Sequence, residues 1–279
     1  MQLRHFLSQR YFRARTLGEG SEAQYVQAAR TFSRWLCRPA MLADFTDDLV
    51  NDFLRSLARV HAPSYVRSRR TYLLAIWRFA AEDDLVPPPR RIRRVGVPQR
   101  FPIAWERSEV ERLLFASKLL IGSYPKLRCG RAAWWSLAIR VAWDSGLRRC
   151  DQTAVERQAV RDGWLFAVQR KTEKAIPPRP LAPSTLAELD VALPANRRLL
   201  CPWPYSEDHF CGEFRKIVEY SGLVGTWHKL RRSSGTAVEA EHPGFGAAHL
   251  GDTDAVFRRH YLDPRIAGVR VPGPRPLAG

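Results

Sequence analysis

A proline-rich segment near residue 90 constrains this chain strongly, because a helix cannot run through it. Three consecutive prolines occupy positions 87–89, where they remove backbone donors and clash with a preceding helical turn. Several arginines follow at once: Arg90, Arg91, Arg93, Arg94 and Arg100. Helical patterns lie on both sides of residues 84–104. The segment therefore predicts a boundary between two domains, bridged by a semi-rigid spacer with high positive charge.

Three helices are predicted before this boundary. Ser21 can cap a helix over residues 22–37, whose apolar residues recur at helical spacing. Thr46 and Ser64 begin two further helices with the same kind of pattern. Residues 1–20 are predicted to form a flexible lead-in to this bundle.

Six arginines of this half form the predicted DNA-binding surface. The third helix carries four of them and the spacer adds two: Arg67, Arg69, Arg70, Arg78, Arg93 and Arg94. A charge run on an amphipathic helix is most often a solvated face. In a chain whose net charge is +17, contact with DNA phosphates is the favoured interpretation.

The second half predicts helices with a small sheet between them. Apolar periodicity resumes from Glu106, and further helices are predicted over residues 131–146, 184–193, 206–221 and 229–240. Residues 164–169 predict a strand. Residues 175–181 predict a second, which three prolines confine to a sheet edge. The predicted fold class is mainly α with a small β-sheet, or α+β.

Composition limits the partner and the compartment. The chain has 279 residues, 45% hydrophobic content and a pI of about 10.4, so it can build cores and favours a polyanionic partner. A proteome that favours arginine accounts for part of this charge. The five cysteines are irregularly spaced and include no C-x-x-C pair, which predicts reduced thiols in a cytoplasmic protein. Cys201, His209 and Cys211 lack a fourth well-spaced ligand, so no metal site is predicted. No signal peptide or membrane span is recognisable.

Four stretches of the second half carry residues suited to phosphoryl transfer. They are Gly146-Leu147-Arg148, residues 170–174, residues 227–236, and the C-terminal stretch from Leu250 to Pro264. His228 and Arg231 share one face of a helix because they lie three residues apart. A tyrosine such as Tyr261 can attack a phosphodiester when cations stabilise the charge that builds on phosphorus.

In this order and spacing, the four stretches resemble the tyrosine recombinase (phage integrase) family over about residues 20–265. The resemblance implies a helical, SAM-like core-binding domain at residues 21–84 and a linker at residues 85–104. It also implies a catalytic domain at residues 105–265, followed by a tail at residues 266–279. The two domains of such enzymes form a C-shaped clamp around DNA.

The resemblance also implies the roles of the site residues. Tyr261 is the nucleophile, and Arg148 and Arg231 clamp the phosphate with planar, bidentate donors. Asp151 orients Arg148. His228 is the base or proton relay that helps to accept the phenol proton.

Lys171 is the candidate general acid for the leaving 5′-oxygen, at the first position of a Lys-Thr-x-Lys pattern that resembles that of the family. Composition adds an independent argument, because lysine is rare in this chain: Lys118, Lys126, Lys171, Lys174, Lys216 and Lys229. Arginine holds its proton too tightly to donate it, whereas lysine can donate one. Lys174 is the second candidate.

Asp252 departs from the family pattern, which has His or Trp at this position to donate a hydrogen bond to the phosphate. An ionised aspartate cannot donate one and repels the phosphate. Three interpretations stay open: His249 or His260 substitutes, Asp252 anchors Arg148 or His228, or cleavage is slowed. An active enzyme is the expectation.

The implied reaction is cleavage and rejoining of DNA strands through a 3′-phosphotyrosyl intermediate, for DNA integration or excision. It needs no metal, ATP or other cofactor. The implied partner is a double-stranded recombination site, bound by a homotetramer on two duplexes, with accessory DNA-bending or directionality factors possible. The alternatives are a type IB topoisomerase-like nicking-closing enzyme and a degenerate, non-catalytic DNA-binding regulator. A basic structural or RNA-binding protein explains the charge but not the ordered set of residues.

Overall fold

The computed structural model describes residues 1–170, 172–194 and 196–268. The chain divides into two compact units, Met1–Gln99 and Arg100–Gly279. Each unit has its own buried hydrophobic cluster. No helix within the described ranges is long and apolar enough to cross a membrane.

The first unit is a helical bundle. Its α-helices are α1 (Leu3–Phe6), α2 (Glu19–Trp35), α3 (Asp47–Val60) and α4 (Pro63–Glu82), with a π-helical turn at Leu7–Tyr11. The three long helices lie where they are predicted, but α2 begins at Glu19 with Gly18 as its N-cap, so Ser21 lies inside the helix and does not cap it. The Thr46 side chain accepts a hydrogen bond from the Leu49 backbone N–H, and Pro63 occupies the first turn of α4.

The prediction of a flexible lead-in at residues 1–20 is wrong for its first half. Leu3, Phe6, Leu7 and Tyr11 are completely buried in the core of the first unit. Their spacing is that of an apolar helical stripe, which the abundant polar residues between them conceal. The Tyr11 ring packs 5.1 Å from that of Phe79. Burial of this stripe is the physical reason that the segment is ordered.

The spacer after α4 is bound along the first unit. We call residues 87–95 the linker strap. The Trp77 indole donates a 2.6 Å hydrogen bond to the Pro87 carbonyl, and the Asp47 carboxylate accepts from the backbone N–H groups of Arg90 and Arg91. Asn51 accepts from the Arg93 N–H and donates to the Arg91 carbonyl. The strap has no helix or strand, so side chains of α3 and α4 satisfy its backbone.

The second unit contains eight further α-helices and five short strands in its described part. The helices are α5 (Arg107–Ser117), α6 (Arg131–Ser145), α7 (Arg149–Gln152), α8 (Pro183–Ala192), α9 (Glu207–Tyr220), α10 (Trp227–Glu241), α11 (Gly246–Leu250) and α12 (Asp254–His260). The strands are β1 (Ser123–Tyr124), β2 (Cys129–Gly130), β3 (Val160–Arg161), β4 (Trp164–Leu165) and β5 (Arg179–Pro180). The predicted fold class, mainly helical with small sheets, is confirmed.

A three-stranded antiparallel sheet has the order β3-β4-β5. Its regular strands are shorter than predicted, and a single bridge from Val168 to Ala175 continues the β4–β5 hairpin. β5 lies at an edge, as its prolines require. The hairpin tip therefore falls at residues 169–174, and we call residues 168–175 the lysine hairpin.

α6 is the central helix of the second unit. Trp134, Trp135, Leu137 and Ile139 are buried on it, and it packs against α5, α8 and α10. It ends at Gly146, whose left-handed φ of 59° suits glycine. A Cβ atom at Gly146 would lie 2.6 Å from the Leu250 side chain. This close approach brings the chain after α6 against the segment after α11, where the candidate site lies.

Candidate active site

Four segments of the second unit meet at one site. The turn after α6 provides Arg148, and the first turns of α10 provide His228 and Arg231. Residues 250–253, from the last residue of α11 to the start of α12, provide Asp252, and we call them the Asp252 loop. Tyr261 follows α12 directly.

Arg231 connects three of these segments. Its side chain is 3% exposed. One terminal nitrogen, Nη1, donates to the Gly146 carbonyl at 2.5 Å. The other, Nη2, donates to the Leu250 carbonyl at 2.8 Å and to Oδ2 of Asp252 at 2.5 Å. The guanidinium carbon lies 5.0 Å from the centre of the Tyr261 ring. Arg231 is thus a structural hub and a fixed positive charge beside the tyrosine.

Arg148 lies at the N-cap of α7, where an extended backbone turns its side chain toward the Asp252 loop. Nη2 donates to Oδ1 of Asp252 at 2.9 Å. Nη1 is buried, without a hydrogen-bond partner in the described part of the chain, and lies 4.0 Å from Oδ2 of Asp151. Asp151 is itself buried and accepts from the Arg170 backbone N–H. We call Arg148 and Arg231 the arginine clamp.

The neighbouring arginines point elsewhere. Arg149 pairs with Glu207 and lies over the Phe210 ring. Arg232 donates to the backbone carbonyls of Ile103 and His260. A helix turns about 100° per residue, so adjacent residues cannot face the same site. The two arginines that the family resemblance selects are the two that meet at Asp252.

Asp252 holds the arginine clamp together. Each of its carboxylate oxygens accepts a hydrogen bond from a different guanidinium, Oδ1 from Arg148 and Oδ2 from Arg231. The side chain is 11% exposed. Of the interpretations left open by the sequence, anchoring of Arg148 is therefore observed. The pairing with Arg231 was not predicted.

His249 and His260, the two histidines considered as substitute donors to the phosphate, have different environments. The His249 ring is hydrogen bonded to the Ser234 hydroxyl at 2.7 Å, beneath the loop. Burial, with Arg179 and Arg231 nearby, lowers the pKa of His249 to about 3, so its ring is neutral. His260 is exposed at the end of α12, where its backbone carbonyl accepts from Arg232.

Tyr261 is buried, with 6% exposure, beside Leu250 and Phe257. Its ring centre lies 5.4 Å from that of His228. The Tyr261 carbonyl accepts a hydrogen bond from the Thr236 hydroxyl at 3.0 Å, which fixes the backbone of the tyrosine to α10. Asp263 anchors the backbone that follows the tyrosine: its completely buried carboxylate accepts a hydrogen bond from the Ala104 backbone N–H. The ring contacts with His228 and Arg231 join these two residues and Tyr261 in one contiguous group.

His228 is exposed at the rim of the site, yet its environment disfavours the charged ring. Partial desolvation of the imidazole lowers its pKa first, and the positive charges of Arg232, Arg231 and Arg148 lower it further. Asp252 opposes this shift more weakly. A neutral imidazole beside a phenol can accept a proton, which is the capacity that a base requires.

Lys171 lies outside the described residues, so its side chain is not placed. The hairpin around it is described. The Gln169 N–H donates to the Lys174 carbonyl at 2.9 Å, and the Thr172 hydroxyl donates to Oε1 of Gln169 at 2.9 Å. Lys174 is exposed.

Gln169, Arg179 and Gly251 are site residues that sequence reasoning missed. The buried Gln169 amide donates to the carbonyls of Leu250 and Gly251, and so joins the lysine hairpin to the Asp252 loop. The buried Arg179 donates to the His249 carbonyl at 2.5 Å. A Cβ atom at Gly251 would lie 2.3 Å from Ile176 and 2.7 Å from Gln169. Only the Leu-Gly pair before Asp252 could have indicated this close packing.

The six predicted DNA-binding arginines have different environments in the first unit. Arg67, Arg78, Arg93 and Arg94 are exposed. Arg69 is buried between the rings of Tyr65 and Tyr72. It donates a hydrogen bond to the Gln24 side chain, so it is not part of the exposed basic surface. Arg70 is half-buried and donates to the backbone carbonyls of Ile92 and Arg93, so it holds the linker strap.

No metal site accompanies the candidate residues within the described ranges, where no three His, Cys, Asp or Glu side chains cluster closely enough to hold an ion. The search of protein-family models finds no match, and neither does the search of curated proteins.

Solved structures do match, across nearly the whole chain. A lambda integrase tetramer bound to a Holliday junction is 19% identical with a TM-score of 0.72, over 99% of this chain and 80% of that one. The Tn1549 transposon integrase in complex with circular intermediate DNA is 10% identical with a TM-score of 0.67, over 94% and 95%. The XerH site-specific recombinase bound to a palindromic difH substrate is 15% identical with a TM-score of 0.65, over 88% and 76%. The chain therefore has the tyrosine recombinase fold.

Proposed function

We propose that this protein is a site-specific DNA recombinase or integrase that breaks and rejoins DNA strands through a tyrosine. The observation that carries the proposal is the convergence of Arg148, Arg231 and His228 around Tyr261. The fold alone does not establish an activity. The same fold together with this constellation at one site supports the assignment.

The proposed reaction starts with attack of the Tyr261 phenol oxygen on a DNA phosphorus. A phosphorus–oxygen bond to tyrosine forms, and the bond to the 5′-oxygen breaks, which leaves a 3′-phosphotyrosyl link. His228 accepts the phenol proton, consistent with its lowered pKa. Lys171 donates a proton to the leaving 5′-oxygen, which departs as a hydroxyl. Attack by a 5′-hydroxyl from a second duplex reverses these transfers and rejoins the strands.

The arginine clamp stabilises the charge that develops on the non-bridging oxygens during this attack. Guanidinium groups suit this task because they stay charged and present donors in a plane. The phosphotyrosyl ester conserves the energy of the broken bond, so the proposed reaction requires no ATP and no metal ion.

We extend the proposal to the assembly. The lambda integrase structure is a tetramer on a Holliday junction, and exchange between two duplexes requires several protomers. For this chain we propose double-stranded DNA as the partner, with four protomers on two duplexes. The exposed arginines of α4 and the linker strap are proposed to contact the phosphate backbone: Arg67, Arg78, Arg93 and Arg94.

A second function, a DNA-binding regulator without catalysis, is favoured by one observation. The Asp252 carboxylate occupies donors of both arginines that the reaction needs. Such a protein keeps the fold and the basic surface but forms no covalent link to DNA.

A suicide substrate separates the two functions. Nicked duplexes that carry candidate sites lose a short strand after cleavage, so the covalent complex accumulates and survives denaturation. We expect such a complex with the wild-type protein and none with Tyr261→Phe. Tyr220→Phe is the matched control, because Tyr220 is 56% exposed on α9. A complex that persists in Tyr261→Phe contradicts the proposed nucleophile. Binding without any complex, even when Asp252 is replaced by His, supports the regulator.

A further inference from the structure

The contacts of Asp252 have the form of a bound oxyanion. Two carboxylate oxygens, joined through one carbon, each accept from a different guanidinium, at 2.9 Å from Arg148 and 2.5 Å from Arg231. Two non-bridging oxygens of a phosphate group offer the same pair of acceptors joined through one atom. Arginine binds carboxylates and phosphates with the same planar donor geometry.

The clamp has more donors than Asp252 can use. Nη1 of Arg148 and Nε of Arg231 are buried without a hydrogen-bond partner in the described part of the chain. Unpaired buried donors are costly, particularly on a cation. A carboxylate has two acceptor oxygens, whereas a phosphodiester has two non-bridging and two ester oxygens arranged around phosphorus, so it offers acceptors to donors that the carboxylate leaves unpaired.

The backbone that carries Asp252 is held in place. The Asp252 N–H donates to the Ala247 carbonyl at 3.0 Å, and the Gln169 amide donates to the Gly251 carbonyl. Arg179 donates to the His249 carbonyl just before the loop, and Arg231 donates to the Leu250 carbonyl at its first residue. The loop therefore cannot withdraw easily, and the carboxylate can leave the clamp only by rotation of its own side chain.

We propose that the arginine clamp is an oxyanion site and that Asp252 is its internal occupant, which a phosphate group must displace. The inference rests on the proposed function, since it assigns the scissile phosphodiester as the displacing ligand. A carboxylate and a phosphodiester are both negative and compete for the same two guanidinium groups. Asp252 thus stabilises the clamp in the free protein and weakens its affinity for phosphate.

Inorganic phosphate is the probe that tests the site without any DNA chemistry. Titration calorimetry on the full-length protein compares the wild type with Asp252→Asn, which removes the charge and keeps the shape. We expect the variant to bind phosphate at least tenfold more tightly. Asp254→Asn is the matched control, because Asp254 is exposed and pairs with Arg258 on α12, away from the arginine clamp. The gain should disappear when Arg148→Ala is added to Asp252→Asn.

Equal phosphate affinity in the wild type and Asp252→Asn overturns the inference, as does a gain that survives Arg148→Ala. Asp252→Ala provides the second variant if Asp252→Asn fails to fold, with circular dichroism as the check. A duplex oligonucleotide at fixed salt distinguishes the two sources of phosphate. Tighter binding of both ligands supports displacement by a phosphodiester, whereas a gain for inorganic phosphate alone overturns that assignment.

The suicide-substrate assay distinguishes a failure of this inference from a failure of the proposed function. A gain in phosphate binding without a covalent complex in any variant supports the oxyanion site and contradicts the recombinase. A covalent complex in the wild type with no gain in Asp252→Asn supports the recombinase and overturns the role of Asp252.

Discussion

His228 is the residue whose protonation most directly links the site to pH. Its pKa is lowered from 6.5, so the ring is neutral above that lowered value and charged below it. In its proposed role as a base, His228 must be neutral to act. The rate constant of cleavage should therefore rise with pH through a midpoint below 6.5 and then level off.

Single-turnover cleavage between pH 4.5 and 8 measures this profile. His228→Gln should lose the inflection and cleave about 100-fold more slowly. His242→Gln is the control, since His242 is exposed at the opposite end of α10 and should leave the profile unchanged. An inflection that persists without His228 would assign the titration to another group.

Sequence reasoning at the residue scale identified the clamp arginines but not what they contact. The resemblance to the tyrosine recombinase family selects Arg148 and Arg231 over Arg149 and Arg232, and the structure separates each pair in the same way. The bridge through Asp252 could not be predicted, because it joins residues 104 positions apart in the chain. Such a contact depends on how α6 and α11 each pack against α10.

At the scale of elements, Gln169 couples the lysine hairpin to the Asp252 loop. Its amide donates to two loop carbonyls and accepts from Thr172, so it holds two parts of the site in register. Gln169→Ala should loosen the hairpin and slow cleavage by about 10- to 100-fold, since small misplacements of reacting groups are costly. DNA affinity should stay unchanged.

Hydrogen exchange and single-turnover cleavage measure the two effects of Gln169→Ala together. Exchange should accelerate at residues 168–176. Gln158→Ala serves as the control, because Gln158 is exposed beside the same sheet. Normal cleavage in Gln169→Ala would show that the hairpin is positioned without this contact.

The linker strap is a second element with a testable role. Asp47 and Asn51 bind its backbone and leave the side chains of Arg93 and Arg94 exposed. Asp47→Ala combined with Asn51→Ala should weaken DNA binding about fivefold, because a free strap must be ordered on binding. The salt dependence of the affinity should not change, because no arginine is removed.

Fluorescence anisotropy over a range of salt concentrations measures both quantities for the strap variant. Asp52→Ala is the matched control, since Asp52 lies on the same helix and pairs with Arg55 in solvent. Equal DNA affinities of the wild type, the strap variant and Asp52→Ala would show that DNA binding does not depend on the anchoring of the linker strap.

The elements themselves were predictable to different degrees. The long helices were predictable because capping residues and apolar spacing act within a few residues. α1 was not predicted because its apolar stripe is short. The docking of the linker strap was not predicted because it depends on side chains of α3 and α4, which lie earlier in the sequence. The strand predicted at residues 164–169 is shorter in the structure, because backbone pairing in a sheet depends on the neighbouring strands and not on the sequence pattern of one strand.

For the whole molecule, the net charge of +17 favours a polyanionic partner, and the proposed function identifies that polyanion as DNA. The charge was evident from composition. The fold was expected from the order of four short stretches and is confirmed by structures at most 20% identical to this chain. What composition and fold leave open is the proposed covalent chemistry, in which Tyr261 is the nucleophile.

The most direct test of that chemistry is to identify the amino acid that carries DNA after cleavage. The covalent complex from a suicide substrate is digested with nuclease and trypsin, and the modified peptide is sequenced by mass spectrometry. Cleavage after Arg259 and Arg265 gives a peptide of residues 260–265, in which Tyr261 is the sole tyrosine. We predict a nucleotide joined through its 3′-phosphate to Tyr261. A nucleotide on any other residue, or a link through a 5′-phosphate, would contradict the proposed reaction.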